Sequence, residues 1–154
     1  MTSKEFVLET LKRSGKIAAQ SLQDRAKDMN GTELYAEDSY IPEFSVAVKK
    51  MNMLERPIGF VCKSSSGRVV RLIQNYDSNI FTEEPEKLPA QFGFVWSKDP
   101  AKALPFIALS TSPYMIDECC SENDIVYKST VDNNVYSPKE YPSGWEKYKG
   151  GEEA

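Results

Sequence analysis

The sequence predicts a mainly β protein with an N-terminal α-helix and two tandem, small, three-stranded β units. Two observations lead to that class. First, a pattern of prolines and aromatics occurs twice. Pro85-Glu-Lys-Leu-Pro-Ala-Gln-Phe92 superposes on Pro138-Lys-Glu-Tyr-Pro-Ser-Gly-Trp145 at one offset of 53 positions, which sets Pro85 on Pro138, Leu88 on Tyr141, Pro89 on Pro142 and Phe92 on Trp145. Upstream, Arg68-Val-Val-Arg71 falls on Ile125-Val-Tyr-Lys128 at an offset of 57, the difference fitting a longer loop in the first copy. A period of this size marks a repeated structural unit. Second, Thr2 to Met29 carries a helix start signal and an apolar stripe at helical spacing, with none of the alternation of a strand.

Composition bounds the rest. At 154 residues there is room for one medium domain or two very small ones. Each repeat is about 50 residues, near the size at which a core barely offsets chain entropy, so the repeats are expected to lean on each other, on the N-terminal segment or on other subunits. Hydrophobic content of 40% and charged content of 27% suit a soluble globular chain. A net charge of −4 with scattered Lys and Arg argues against a nucleic-acid binder, which needs a basic footprint. No apolar run reaches the roughly 18 residues of a membrane span, so no membrane insertion is expected. The start, Met1-Thr-Ser-Lys-Glu-Phe6, lacks the apolar run of a signal peptide. Cys62, Cys119 and Cys120 make neither a disulfide framework nor a Cys-x-x-Cys metal site, and read as reduced thiols of a protein made in the cytoplasm. Histidine is absent, which removes the commonest general base and metal ligand together.

The elements follow in order. Residues 1–31 read as one amphipathic helix. Thr2 with Glu5 forms a capping box, in which two amides at the helix start are satisfied reciprocally. The stripe falls at Leu8, Leu11, Ala18, Leu22 and Met29, heptad spacing with Gly15 and Arg25 in two seam positions. Phe6, Val7, Ile17 and Ala26 widen it. Two readings fit: a helix docked on its own domain, or a self-association helix in a two- or three-stranded bundle. Asn30-Gly31 is read as the left-handed stop of this helix, and Thr32 to Tyr40 as a polar linker.

The first β unit spans 41–97. Ile41-Pro-Glu-Phe44 is its extended lead-in. Ile58-Gly-Phe-Val-Cys62 is the first strand, Lys63-Ser-Ser-Ser-Gly67 the turn and Arg68 to Gln74 the return strand. After a loop, Phe92 to Ser97 is the third strand. The second unit spans 103–148 in the same order. Ala103 to Ala108 is the lead-in, Met115 to Cys120 the first strand and Ser121 to Asp124 the turn. Ile125 to Ser129 is the return strand, and Trp145 to Tyr148 closes the unit.

The succession of a strand, a short turn, Val126-Tyr-Lys128, a polar loop, Ser137-Pro138 and a terminal Trp145 resembles small carbohydrate-binding modules of the chitin- and cellulose-binding type (families 5 and 12). The match is best over Val126 to Trp145 and looser through Val69 to Leu72 and Pro85 to Phe92. Two such units behind a helix resemble accessory tail proteins of tailed phages and prophages. That resemblance implies a virion-associated, non-enzymatic protein of the tail or fibre, made in the host cytoplasm. Its implied partners are other tail or fibre proteins and a host surface glycan, and its implied assembly is a homo-oligomer, a trimer above all. The alternative is an oligomeric tail, baseplate or fibre-assembly component that binds no sugar.

A sugar site needs an exposed aromatic face with polar groups beside it. Tyr136, Tyr141 and Trp145, with Asp132, Asn133 and Asn134, supply those types within one loop. Tyr76 and Phe81 occupy the corresponding loop of the first copy. Against this, Trp145 aligns with Phe92 and Tyr141 with Leu88, as residues of a repeated core would, and the loop lacks the adjacent aromatic pair of the modules. Enzymatic chemistry has little footing. No pair of carboxylates stands out, no glycine-rich phosphate loop is present, and a cysteine nucleophile would lack a histidine base. No cofactor or metal is expected, since Asp132-Asn-Asn134 lacks the ligand series of a calcium loop.

Overall fold

The computed structural model describes residues 2–149. It has an N-terminal helix and two small sheets, but helix outweighs strand, 34% against 18%, so mainly β describes the sheets and not the balance. Helix α1 (Ser3–Arg25) runs into a 3₁₀ turn at Ala26–Asp28, followed by α2 (Gly31–Ala36), a 3₁₀ turn at Asp38–Tyr40 and α3 (Phe44–Lys50). The first sheet is an antiparallel meander of β1 (Val61–Lys63), β2 (Val69–Leu72) and β3 (Phe92–Phe94). The second adds β4 (Leu104–Pro105), parallel to β5 (Cys119–Glu122), before β6 (Ile125–Ser129) and β7 (Trp145–Lys147).

The two meanders share one hydrogen-bond frame. Leu72 pairs with Phe92 and Ser129 with Trp145; Arg71 pairs with Gly93 and Lys128 with Glu146. Cys62 sits opposite Val70 as Cys120 sits opposite Tyr127. The likeness continues outside the strands. The amide of Val95 donates to the Val69 carbonyl at 3.2 Å, and that of Tyr148 to Val126 at 2.8 Å. Before each first strand a left-handed residue, Gly59 (φ 94°) or Asp117 (φ 71°), donates its amide to the Leu72 or Ser129 carbonyl. The proline segments match too: Leu88 (φ −127°, ψ 56°) and Tyr141 (φ −138°, ψ 71°) share an unusual conformation between two turns. Each lead-in delivers a phenylalanine edge-on to the first residue of its closing strand, Phe44 to Phe92 at 5.8 Å and Phe106 to Trp145 at 6.0 Å.

Strand alternation sends Cys62, Val70, Leu72, Phe92 and Phe94 into a core that also holds Phe44, Tyr114, Cys120 and Trp145, so both sheets bury against a common apolar cluster. The opposite face of the first sheet, with Val61 and Val69, is covered by Leu22, Ala26, Met29, Leu34 and Tyr35 from the helices. Polar groups fix that cover. The Tyr35 hydroxyl donates to the Val95 carbonyl and accepts from the Val69 amide, each at 3.0 Å. Arg71 donates to the Ala26 carbonyl at 2.6 Å, which also accepts from the Met29 amide, and to the carbonyl of Met29, so one guanidinium ties the end of the helix to the sheet.

Four expectations need correction. The Thr2–Glu5 capping box is present, but the first helix ends at Arg25. Asn30 is no stop: it is the N-cap of α2, accepting from the Glu33 amide at 2.8 Å while Glu33 reaches back to the Asn30 amide at 3.1 Å. Residues 32–40 are therefore helical turns rather than a linker, because Leu34 and Tyr35 are needed to seal the first sheet. In the second unit the first strand starts only at Cys119, and the turn narrows to Asn123-Asp124, both at positive φ (52° and 65°), a twist that matches the flanking strands.

Candidate functional site

The loop from Thr130 to Gly144 carries the predicted ligand residues, and the fold sorts them into two layers. Asn134 lies underneath, 2% exposed. Its amide nitrogen donates to Ser129 Oγ at 3.0 Å and to the Gly144 carbonyl at 2.9 Å, and its side-chain oxygen accepts from the Tyr136 amide at 3.2 Å. Its backbone forms a two-way bridge with Tyr114. Trp145 is buried beside it. The indole nitrogen donates to the Tyr136 carbonyl at 2.7 Å, and the ring packs edge-on to Tyr114 at 5.2 Å. These two residues hold the loop from below, and neither offers a face to a ligand. The physical reason is the repeat: Trp145 opens the closing strand as Phe92 does, and that position points into the common core.

Tyr136 stands above them, 56% exposed, with its ring edge-on to half-buried Tyr141 (6.1 Å, 85°). A Cβ on Gly144 would come within 2.3 Å of the Tyr141 ring, so glycine there lets that ring lie on the backbone. The pair makes a corner rather than a flat platform. Asp132 and Asn133 are exposed at the loop's other end. Asp132 Oδ1 accepts from the Ile116 amide at 2.9 Å, and Asn133 takes the left-handed φ of 55°. The predicted polar residues thus brace the loop, while Tyr136 and Tyr141 remain as surface aromatics.

In the first unit the corresponding pair is split. Tyr76 is buried against Phe92 (5.7 Å, 79°), and its hydroxyl is without a hydrogen-bond partner. Phe81 is 51% exposed. The heptad stripe of α1 is likewise divided. Leu22 and Met29 are buried in the chain's own body, Ala18 is half-buried, and Leu8 and Leu11 stand in solvent with Phe6, Val7 and Ile17.

The buried titratable groups serve the fold. Burial pushes the Cys62 thiol up to about 12 and that of Cys119 to about 11, so neither is poised as a nucleophile. Burial also raises the Glu118 carboxyl, which accepts from the Met115 amide at 2.7 Å. Arg68 and Glu86 form a buried ion pair at 2.9 Å; Ser64 donates to the same carboxylate, and Arg68 donates to the Pro105 carbonyl of the second unit. Among the described residues no group of three or more His, Cys, Asp or Glu could hold a metal ion. Sequence reasoning passed over Tyr40, Lys50 and Arg56, which tertiary placement brings to one groove beside α1. The unread signal was the apolar-basic run Val46-Ala-Val-Lys-Lys50, whose helical spacing puts Val46 and Lys50 on one face. Compared with family models, curated proteins and solved structures, the chain matches none of them.

Proposed function

We propose that the chain is a non-enzymatic assembly protein of a phage tail or its fibre, in which α1 joins the β body to further copies of itself. The observation that supports this reading is the outward half of α1. Residues 2–17 are exposed throughout, including Phe6 (63%), Leu8 (49%), Leu11 (63%) and Ile17 (63%). A helical segment of about 15 residues is marginal in water by itself, and one with so much apolar surface gains from being covered. Three copies joined through Leu8 and Leu11 give the trimer that a tail fibre would carry.

Sedimentation equilibrium tests it. Wild-type protein is expected at a multiple of 17.4 kDa, and Leu8→Asp with Leu11→Asp at the monomer mass with an unchanged thermal melt. A wild type that stays monomeric across the micromolar range would remove self-association from the reading. A second role, adhesion to a host glycan, is favoured by the exposed Tyr136 resting on Tyr141. Glycan-array binding that Tyr136→Ala abolishes supports it, and an array without a ligand eliminates it.

A further inference from the structure

Where α1 leaves the body, a groove of about 650 Å³ opens between that helix and α3. Its floor is apolar, built from Ala19, Ile41, Val46, Ala47 and Phe60, with Val46 44% and Tyr40 45% exposed. Its charge is of one sign. Lys16, Lys50 and Arg56 line it and no carboxylate does, in a chain whose net charge is −4. Three acids on adjoining elements are paired elsewhere, Glu37 with Arg25 at 3.0 Å, Asp38 with Lys102 at 3.3 Å and Glu43 with Lys63 at 3.7 Å, while Glu55, next to Arg56, lines the adjoining hollow and not this groove. Asp24 accepts from Gln20 at 3.0 Å. Among the described residues no ion pair involves Lys16, Lys50 or Arg56. Arg56 is held in place before any ligand arrives. Its guanidinium lies 4.3 Å over the Phe60 ring and donates to the Ala47 carbonyl at 2.9 Å, while its Nε is buried without a partner.

The shape says what kind of segment fits. Strand addition is closed off, because the Gln23 side chain already pairs with both the amide and the carbonyl of Val61, at 3.0 and 2.8 Å. Small residues on the α1 wall, Gly15 and Ala19, allow close approach, and nothing lies within 4 Å of a Cβ built on Gly15. A helix laid between two helices, apolar face down, suits this floor. The chain's own outward helix is the wrong sign: Lys4, Lys12, Arg13 and Lys16 outnumber Glu5 and Glu9. We propose that the groove docks an acidic amphipathic helix of another protein, its apolar stripe on Val46 and Phe60 and its carboxylates against Lys16, Lys50 and Arg56. The proposal rests on the assembly reading above, and assigns it a second surface with a partner of defined chemistry.

The test uses the full chain and two labelled helical peptides of about 16 residues, each with a leucine stripe, one with glutamate elsewhere and the other with lysine. Fluorescence anisotropy should show the glutamate peptide binding at least about tenfold tighter than the lysine peptide, with the preference shrinking as salt is raised. Lys16→Glu with Lys50→Glu should invert the preference, and Val46→Asp should weaken both peptides while leaving the thermal melt in place. Amide shift changes on titration should fall on Ala19, Ala47 and Lys50. Equal binding of the two peptides, no binding of either, an unaltered preference in the double variant, or shifts confined to Leu8 and Leu11 would each overturn it. The sedimentation mass is independent of these outcomes, so a monomeric wild type that still binds the glutamate peptide separates the two proposals.

Discussion

Gly31→Ala sets three physical accounts against one another. In an ordinary helical position the change stabilises, by up to about 1 kcal/mol. Were Gly31 a left-handed stop, as Asn30-Gly31 suggests in sequence, alanine would cost about 1–2 kcal/mol and asparagine less, since asparagine tolerates that conformation. In the structure Gly31 is the first residue of α2, outside the left-handed region, and a Cβ there would lie 2.1 Å from the Trp96 carbonyl oxygen. Backbone cannot rotate away as a side chain can, so α2 must lift from the end of the first sheet. Overpacking of this kind costs about 1–3 kcal/mol. Lifting also strains the two Tyr35 hydroxyl bonds to Val95 and Val69, each worth about 1 kcal/mol. Against a helix-propensity gain below about 1 kcal/mol, the net loss is about 1–3 kcal/mol, or roughly 3–10 °C in Tm for a chain of this length. Asparagine also carries a Cβ, so Gly31→Asn should cost as much as alanine or more. Urea melts of the three proteins, read by far-UV dichroism and by tryptophan fluorescence, check this. An alanine variant as stable as wild type, or an asparagine variant more stable than the alanine one, would refute the close-approach argument.

Trp145→Ala should cost about 3–5 kcal/mol, as truncation of a buried aromatic does, while Tyr136→Ala should stay within about 0.5 kcal/mol; equal costs in urea melts would contradict the two-layer loop. Asn134→Leu removes two donated bonds and one accepted one beneath that loop, and should cost about 2–4 kcal/mol with faster amide exchange at Tyr136. Unchanged exchange would show that the loop holds itself. Burial raises the Cys62, Cys119 and Cys120 thiols and pushes the Tyr35 phenol up to about 12. The unfolded thiols and phenol ionise from about pH 8.5 and 10, so above pH 8.5 the unfolded state sheds protons that the folded state keeps. Stability is therefore whole below about pH 8.5 and falls as pH rises towards 11 and 12; a urea midpoint at pH 10.5 at or above that at pH 8 contradicts it.

What could be read from the sequence was local and repeated. The offset that put Phe92 on Trp145 also fixes the register of both closing strands, because a one-residue slip would turn Phe92 and Trp145 out of the core. The Thr2–Glu5 box is a short-range signal and is present as read. Asn30-Gly31 misled because the same two residues serve a helix start or a helix end, and Glu33, which completes the capping box, was the deciding residue. The stripe of α1 misled for another reason. Heptad spacing, with Gly15 and Arg25 in two of its seam positions, runs on past the edge of the body, so Leu8 and Leu22 look equivalent in sequence although one is in solvent and the other in the core. Nothing short-range distinguishes them. Of the charged groove only one wall was legible, in the run from Val46 to Lys50; its assembly was not, since Lys16, Lys50 and Arg56 come from three separate segments.

The differences between the two units bear on function more than their likeness does. At equivalent outer positions the first sheet has Val61, Val69 and Val95, and the second has Cys119, Val126 and Tyr148. Arg71 in the first reaches the helix carbonyls; Lys128 at the same place in the second has no helix end to meet and lies 5.9 Å over the Tyr148 ring. A helix needs an apolar landing and partners for its last carbonyls, and only the first sheet supplies both. The second sheet's outer face, with Tyr148 41% exposed, is not built to seat α1 in the same way. The two copies thus differ in their outer surfaces while keeping the frame that folds. The first unit commits its outer face to the helices, and with them to the groove and the protruding stripe. In the second, Cys119 is buried under the segment from Lys98 to Lys102, while Tyr148 and the Tyr136 corner stay exposed, so a lesion that uncouples the helices should leave the second unit's surface aromatics in place.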